Sequence, residues 1–306
     1  MRRKKGRFLK ILLGLLAVAP FALGASLFFT EAPSGPLVTT VDIERKMILD
    51  ETAADTAVSA ASPSPARTAL ENLKEFASAL PALANPSVEY VRISPGMRKE
   101  EVLSLLGKKL KWTDVQKEEF LSTAVGSTDI TEGVFYPGVY LLPRGADGES
   151  VGEFVAERFE EKVAARYASS TKKAVSLETA LKIASIIERE AGRRDMHLVS
   201  GVIWNRLFRE MSLDMDATLQ YVKGNEKIGW WPKVLPQDKF IKSPFNTYLY
   251  EGLPPAPISN PSIASVEAAL NPKKTEYLYY LHDRYGNFRG AKTYKEHLKN
   301  IERYLK

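Results

Sequence analysis

Cysteine is absent from this 306-residue sequence, and histidine occurs only three times. A chain without thiols forms no disulfide and offers no thiolate for catalysis or for zinc. His197, His282 and His297 show neither an HExxH motif nor another paired-ligand spacing, so we do not expect a metal centre. The folded part of the chain must therefore be stabilised by its hydrophobic core.

Motifs of several enzyme classes are also missing. The sequence contains no phosphate-binding P-loop and no GxGxxG dinucleotide fingerprint. The corresponding chemistries therefore have no signal in this chain.

Acidic residues are missing from residues 1–10, which hold six of the 43 lysines and arginines. The other 37 basic residues equal the 37 acidic residues in number, so this basic segment accounts for the whole formal net charge of +6. A neutral remainder has no general positive field to attract a polyanion, and we do not expect nucleic acid binding.

Charge is then missing altogether from residues 11–30. Twenty residues of helix rise about 30 Å, the thickness of bilayer hydrocarbon. The basic flank predicts a cytoplasmic N-terminus and an extracytoplasmic remainder. A cleaved signal peptide with a small-residue site at 22–24 is the alternative, but the apolar run continues through residues 27–29. We favour a single-pass membrane anchor, and either interpretation exports the protein.

The rest of the chain divides by composition into three regions. Residues 31–87 are predicted to form an extracytoplasmic linker, although residues 38–48 are compatible with local structure. Residues 88–130 are predicted to form a small module, and residues 131–306 the main domain. The elements predicted in the module are a strand at 88–93, an SPGM turn and helices at 99–110 and 113–123.

Several helices and short, non-alternating strands are predicted for the main domain, and this pattern indicates an α+β fold. Ser176 is predicted to cap a helix that ends at Gly192, and Asp195 to cap the next one. The chain from residue 211 to the start of the next helix is predicted to be rich in turns. The other predicted elements are an extended segment at 133–143, helices at 150–167, 262–270 and 293–305, and a strand at 276–283.

The helix predicted at 177–190 ends with two carboxylates, Glu188 and Glu190, where the helix field disfavours acids. On a helical wheel they lie near opposite borders of the apolar stripe, so they cannot share one site, and periodicity does not choose between them. Glu190 lies one turn beyond Ile186 and Ile187, and such an aliphatic wall would raise its pKa, as a general acid requires. Two solvated glutamates beside neighbouring arginines are the alternative.

Segments across residues 88–306 resemble the endolytic murein transglycosylase family, also called MltG or YceG-like. No single segment is specific, but their order and spacing together are. The matching segments are EGVFYPGVY at 132–140, ASIIERE at 184–190, DMHLVSGVIWNRL at 195–207, MSLDMDATLQY at 211–221, SPFNTYLYEGLPPAPISNPS at 243–262, EYLYYL at 276–281 and His297.

The resemblance implies a lytic transglycosylase that cleaves MurNAc–GlcNAc bonds within peptidoglycan strands without water, leaving 1,6-anhydro ends and needing no cofactor. It implies that Glu190 is the catalytic acid and base and that Glu188 is its structural neighbour. Other residues in the matching segments are expected to line the glycan groove: Asp216, Thr218, Gln220, Asn246, Thr247 and Tyr248. Asp216 and Asn246 suit a buried, loop-stabilising role equally well.

The resemblance also implies a LysM-like character for residues 88–130, location at the cell membrane, peptidoglycan synthases as partners and termination of nascent strands. The chain departs from the family at Pro137-Gly138-Val139, where Pro-Asp-Thr is frequent, and before residue 88, where no first LysM-like unit is recognisable. Two alternatives remain open. One is a non-catalytic glycan-binding scaffold of the cell-wall synthesis machinery, and the other is a hydrolase with Asp216 or Glu188 as its second carboxylate.

Overall fold

The computed structural model describes residues 35–49, 87–126, 130–169, 174–192 and 194–306. The predicted membrane segment at 11–30 and most of the predicted linker lie outside these ranges. Within the ranges, no helix is both long enough and apolar enough to cross a bilayer.

The described residues combine helices with two-stranded antiparallel sheets, which confirms the predicted α+β class. The helices are α1 Lys99–Leu110, α2 Asp114–Gly126, α3 Gly148–Phe159, α4 Leu177–Glu190, α5 Met196–Phe208, α6 Asp216–Lys223, α7 Ile263–Leu270 and α8 Tyr294–Tyr304. A π-helical turn, Glu160–Ala164, and a last turn, Ala165–Ala168, extend α3, and Pro236–Phe240 form a 3-10 helix. The strands are β1 Val41–Asp42, β2 Met47–Ile48, β3 Val88–Ile93, β4 Gly138–Pro143, β5 Tyr279–His282 and β6 Phe288–Ala291, paired in that order.

Strands β3 and β4 form a small sheet beside α1 and α2. The strands are antiparallel, with Val88 opposite Pro143 and Ile93 opposite Gly138. Tyr140 of β4 and Phe120 of α2 are buried in the core of this unit. Because β4 follows residue 130, the sheet extends on both sides of the module boundary suggested by the sequence.

Residues 35–49, the described part of the predicted linker, pack against the main domain. The backbone N–H of Leu37 donates to the carbonyl of Arg166 at 3.1 Å, and that of Thr40 donates to the carbonyl of Leu270 at 3.1 Å. Leu37, Val41 and Ile48 are buried in the core. Residues 35–49 are therefore attached to the folded body.

Helix α4 lies in the centre of the main domain. As predicted, Ser176 caps it, its hydroxyl accepting a hydrogen bond from the Thr179 N–H at 3.1 Å. Ile183 and the apolar residues one turn on are fully buried against α5 and α7. The helix ends at Glu190, and Ala191 adopts an extended backbone. Its last turn therefore carries the two glutamates to the edge of the core.

Three details of the main domain differ from the sequence prediction. Asp195 occupies the N-cap position of α5, but its side chain makes no capping hydrogen bond to the described residues and lies 3.4 Å from His282 Nε2 instead. Helix α6 lies in a region that was predicted to be rich in turns. The helix was missed because it is short and because its N-cap residue, Met215, makes no side-chain capping hydrogen bond to the described residues. Strand β6 was missed because its four residues, Phe288–Ala291, include Gly290.

Candidate active site

Glu190 is half-buried where α4 ends, and two other elements converge on its carboxyl group. Oε1 accepts a hydrogen bond from the backbone N–H of Ala217, in the first turn of α6, at 2.9 Å. Oε2 lies 3.4 Å from the hydroxyl of Tyr280 on β5. Oε1 is thus fixed by a hydrogen bond of ordinary length, whereas Oε2 has only a long contact with the protein.

The surroundings of Glu190 favour its neutral form. Burial raises its pKa, the Ala217 N–H bond lowers it, and the negative charge of Asp216 raises it again. Smaller lowering effects come from the Tyr280 hydroxyl and the charge of Arg189. The net direction is upward, so more of the carboxyl carries a proton near neutral pH, as a general acid requires.

The side chain of Glu188 makes hydrogen bonds that have a structural role. Its Oε2 accepts hydrogen bonds from the Ser262 N–H at 2.9 Å, the Ser262 hydroxyl at 2.6 Å and the Ser265 hydroxyl at 2.6 Å. These donors lie at the N-terminus of α7, where a negative charge is stabilised. Glu188 therefore ties α4 to α7, and the two glutamates have different environments.

Two of the residues expected in the groove, Asp216 and Tyr248, present polar groups near Glu190, and Gln220 lies further along α6. Asp216 is exposed and directly precedes Ala217, and its Oδ1 accepts a hydrogen bond from the Tyr248 hydroxyl at 2.6 Å. Burial and the adjacent Asp216 carboxylate raise the pKa of Tyr248, so the hydroxyl stays protonated and donates. Gln220 lies one turn along α6, half-buried, and its side chain makes no hydrogen bond within the described ranges.

The other three expected groove residues are buried in the structure. The Thr218 hydroxyl donates to the Met215 carbonyl at 2.7 Å and lies 3.0 Å from the Thr247 hydroxyl. The Asn246 side chain donates to two carbonyls of the preceding loop, and its Oδ1 accepts from the Tyr248 N–H at 2.9 Å. Buried side chains with these partners cannot line an open groove, and Asn246 instead holds the backbone of Tyr248.

Neither Tyr280 nor the contact between the small β3–β4 unit and α4 was predicted from the sequence as part of the site. The guanidinium carbon of Arg189 lies 3.8 Å from the ring centroid of Trp231, and Trp231 Nε1 donates to Glu101 Oε2 on α1 at 2.9 Å. Gly96 has φ +81°, and a Cβ there would lie 3.1 Å from Arg189 Nη1. The contacts of Arg189 with Trp231 and with Gly96 join residues far apart in the sequence, so no local pattern predicts them. Tyr280 did lie in a segment that matched the family, EYLYYL, but no role was assigned to it.

A second carboxyl with a raised pKa lies where the small unit meets the main domain. Glu132 is 1% exposed. It accepts hydrogen bonds from the Lys99 N–H at 3.0 Å and the Gly133 N–H at 3.1 Å. Burial, followed by the charge of Glu100, raises its pKa to about 7. Because Glu132 is enclosed by protein, its role is structural and it does not belong to an open site.

Glu132 is expected to make stability depend on pH. Its folded-state pKa of about 7 lies above the ordinary 4.5, so the stability it contributes is present below pH 4.5 and is lost as pH rises through 7. The difference corresponds to about 3 kcal/mol. Urea unfolding at pH 5 and pH 8 should show a loss of stability that Glu132→Gln reduces. An identical pH dependence in both proteins would contradict this.

The site as a whole has one carboxyl suited to proton transfer, with the exposed Asp216 and the half-buried Tyr248 beside it. Among the residues that the structure describes, no three acidic or histidine side chains converge closely enough to ligate a metal ion. Since Glu188 is engaged by α7, this arrangement suits acid–base catalysis by a single carboxyl.

Comparison with known sequences places this chain in a family. A sequence profile of the YceG-like family matches residues 51–303. The chain belongs to the YceG-like family, which confirms the resemblance described above. The match begins at residue 51, so it includes residues 51–87, where no resemblance was recognised from the sequence.

Its relatives include two proteins named endolytic murein transglycosylase. The one from Bacillus subtilis strain 168 is 38% identical over 178 residues, covering 57% of this chain and 48% of the relative. The one from Streptococcus pneumoniae strain D39 is 28% identical over 211 residues, covering 62% and 38%. The chain spans less than half the length of these curated relatives. The crystal structure of a yceG-like protein from Listeria monocytogenes matches with a TM-score of 0.61 and 27% identity, covering 74% of this chain and 81% of that one.

Proposed function

We propose that this chain is an endolytic lytic transglycosylase that cleaves the MurNAc–GlcNAc β-1,4 bond within peptidoglycan strands. The observation that carries the proposal is the environment of Glu190, a half-buried carboxyl with a raised pKa beside the exposed Asp216 and the half-buried Tyr248. Membership of the YceG-like family and the names of the two relatives support it.

The proposed reaction uses one carboxyl twice. Glu190 first donates its proton to the glycosidic oxygen as the C1–O4 bond breaks, and the N-acetyl group of MurNAc supports the cation at C1. Glu190 then takes the proton of the C6 hydroxyl as O6 bonds to C1 and closes the 1,6-anhydro ring. Hydrolytic glycosidases use a pair of carboxyl groups to handle water or a covalent intermediate. Here the nucleophile belongs to the substrate, so a second carboxyl is not needed.

The residues proposed to contact substrate are the expected groove residues that are not fully buried. Asp216, Gln220 and Tyr248 are proposed to bind sugar hydroxyl and acetamido groups, because Asp216 is exposed and the other two are only half-buried. Thr218, Asn246 and Thr247 are proposed to hold these three in place. The unit formed by β3, α1, α2 and β4 is proposed to be LysM-like and to retain glycan beside the site.

The products of digestion test this function. Purified glycan strands incubated with the full chain should yield fragments ending in 1,6-anhydro-MurNAc, which are lighter by one water than hydrolysis products. Reducing MurNAc ends would favour the two-carboxylate hydrolase. Retention on peptidoglycan without release of fragments would favour the scaffold.

We also propose that the chain is anchored in the membrane by residues 11–30, because they carry no charge and follow a basic segment. Arg166 Nε donates to the carbonyl of Gly35 at 2.8 Å, so the folded body begins five residues after this segment. Five extended residues span about 17 Å, which keeps the body near the membrane surface. The full-length chain should remain in membranes after alkaline carbonate extraction. A shortened, soluble product would identify a cleaved signal peptide.

Peptidoglycan synthases are the proposed partners, and termination of nascent strands the proposed role, because a catalytic body near the membrane meets new glycan first. Cells lacking the chain should contain longer glycan strands, which chromatography of released strands measures. Unchanged strand length would argue against this role.

A further inference from the structure

The hydroxyl of Tyr280 lies between two acceptors. It is 3.4 Å from Glu190 Oε2 and 3.7 Å from Met215 Sδ. The ring is held in place by stacking on Phe288, at 5.5 Å and 11°, and by the edge of His282 at 5.7 Å. A fixed ring leaves rotation of the O–H bond as the remaining freedom of this side chain.

The two oxygens of Glu190 are not equivalent. Oε1 accepts the Ala217 N–H at 2.9 Å, and a protonated Oε1 would be a poorer acceptor for that donor. The proton of the neutral acid therefore resides on Oε2. Oε2 is the oxygen that exchanges protons with a substrate, and Tyr280 is the side chain beside it.

We infer that Tyr280 is a further catalytic residue, whose hydroxyl turns from Met215 Sδ to Glu190 Oε2 when the carboxyl loses its proton. This inference rests on the proposed acid–base role of Glu190. In the neutral state Oε2–H points to the glycosidic oxygen and the Tyr280 O–H points to sulfur. Between the two proton transfers, Tyr280 donates to the carboxylate, and it returns to sulfur when Glu190 is reprotonated by the C6 hydroxyl. Tyr280 keeps its own proton throughout.

The surroundings of Glu190 explain why this donor is needed. Burial and the charge of Asp216 suit the neutral acid, and the same factors destabilise the carboxylate that must persist until the second transfer. The charged or titratable groups that act on Glu190 are Asp216 on α6, Arg189 on α4 and Tyr280 on β5, with Tyr248 beyond Asp216. Burial, followed by the charge of Glu190, keeps the pKa of Tyr280 far above neutrality, so Tyr280 acts as a donor and not as an acid.

The 3.4 Å distance is long for a hydrogen bond between oxygens. Catalytic hydrogen bonds in unliganded enzymes are often long and shorten when the substrate is bound. The longer distance in the unliganded site is consistent with a hydroxyl that favours Oε2 only while Glu190 is ionised.

Tyr280→Phe tests the inference, because it removes the hydroxyl and keeps the stacked ring. The turnover number on glycan strands should fall about ten- to hundredfold, the loss expected for one hydrogen bond to a charged group, with KM within a factor of about two. Loss of a donor to the carboxylate raises the pKa of Glu190. The alkaline limb of kcat/KM, where Glu190 loses its proton, should therefore move to higher pH.

Tyr279→Phe is the matched control, since Tyr279 is the preceding residue on β5 and contacts His297 at 5.6 Å on the other side of the strand. It should leave both kcat and the alkaline limb unchanged. A carbon-13 carboxyl titration without substrate should show the pKa of Glu190 higher in Tyr280→Phe than in the unsubstituted chain.

A wild-type rate, or a lower rate with an unmoved limb and an unmoved carboxyl titration, would overturn the inference, because loss of packing alone lowers activity without shifting either. Failure of the proposed function is recognised separately, by full activity of Glu190→Gln.

Discussion

Glu190→Gln is expected to lower the rate of glycan cleavage by roughly 10³-fold or more, since the substituted amide can neither donate nor accept the transferred proton. The amide oxygen can still accept the Ala217 N–H, so the local fold should persist. The measurement is the release of soluble fragments from purified strands, quantified by mass spectrometry.

Glu178→Gln is the matched control for this substitution, because Glu178 lies in the first turn of the same helix and is exposed beside Lys182. It should retain full activity. If Glu190→Gln retained full activity with an unchanged fold, Glu190 would not be the proton donor and the proposed mechanism would be wrong.

Glu188→Ala is expected to destabilise the protein without removing the catalytic group. The substitution leaves three donors of Ser262 and Ser265 without their acceptor at the N-terminus of α7. The cost should be about 3 kcal/mol, which corresponds to a fall in Tm of roughly 6–12 °C. Thermal unfolding followed by circular dichroism measures it.

Measurements of activity distinguish the role of Glu188 from that of Glu190. At a temperature where Glu188→Ala is still folded, its rate per folded molecule should remain within a few fold of the unsubstituted chain. A loss as large as that of Glu190→Gln, with an unchanged Tm, would instead give Glu188 a chemical role and revive the two-carboxylate hydrolase.

Local signals were sufficient to predict helix α4 and its position. Ser176 is a good N-cap residue, and the apolar positions that follow recur at helical spacing, so both ends of the helix and its buried face are encoded within fifteen residues. Strand β3 and helix α1 were predictable for the same reason, and the structure confirms both.

The choice between the glutamates was not available from periodicity. Glu188 and Glu190 flank the same apolar stripe, and what distinguishes them is that Glu188 meets α7 whereas Glu190 meets α6. These contacts join residues 74 and 27 positions apart in the chain, so no local pattern reports them. The family resemblance points to Glu190, and the contacts are consistent with it, because three hydrogen bonds already engage Glu188.

Polar residue type was a poor guide to exposure around the site. Thr218, Asn246 and Thr247 carry hydrogen-bonding groups that suit a sugar, but the nearest backbone groups satisfy them first. Tyr280 was read as part of a buried strand because its neighbours are apolar. Its hydroxyl is the group that matters, and only the tertiary fold brings it to Glu190.

Digestion of glycan strands in water enriched with oxygen-18 tests the central claim most directly. If Glu190 is the only carboxyl that takes part and O6 of the sugar is the nucleophile, the new MurNAc ends should contain no oxygen-18 and should have the mass of the 1,6-anhydro form. Incorporation of one oxygen-18 atom at each new end would show that water attacks C1, and would contradict the single-carboxylate mechanism.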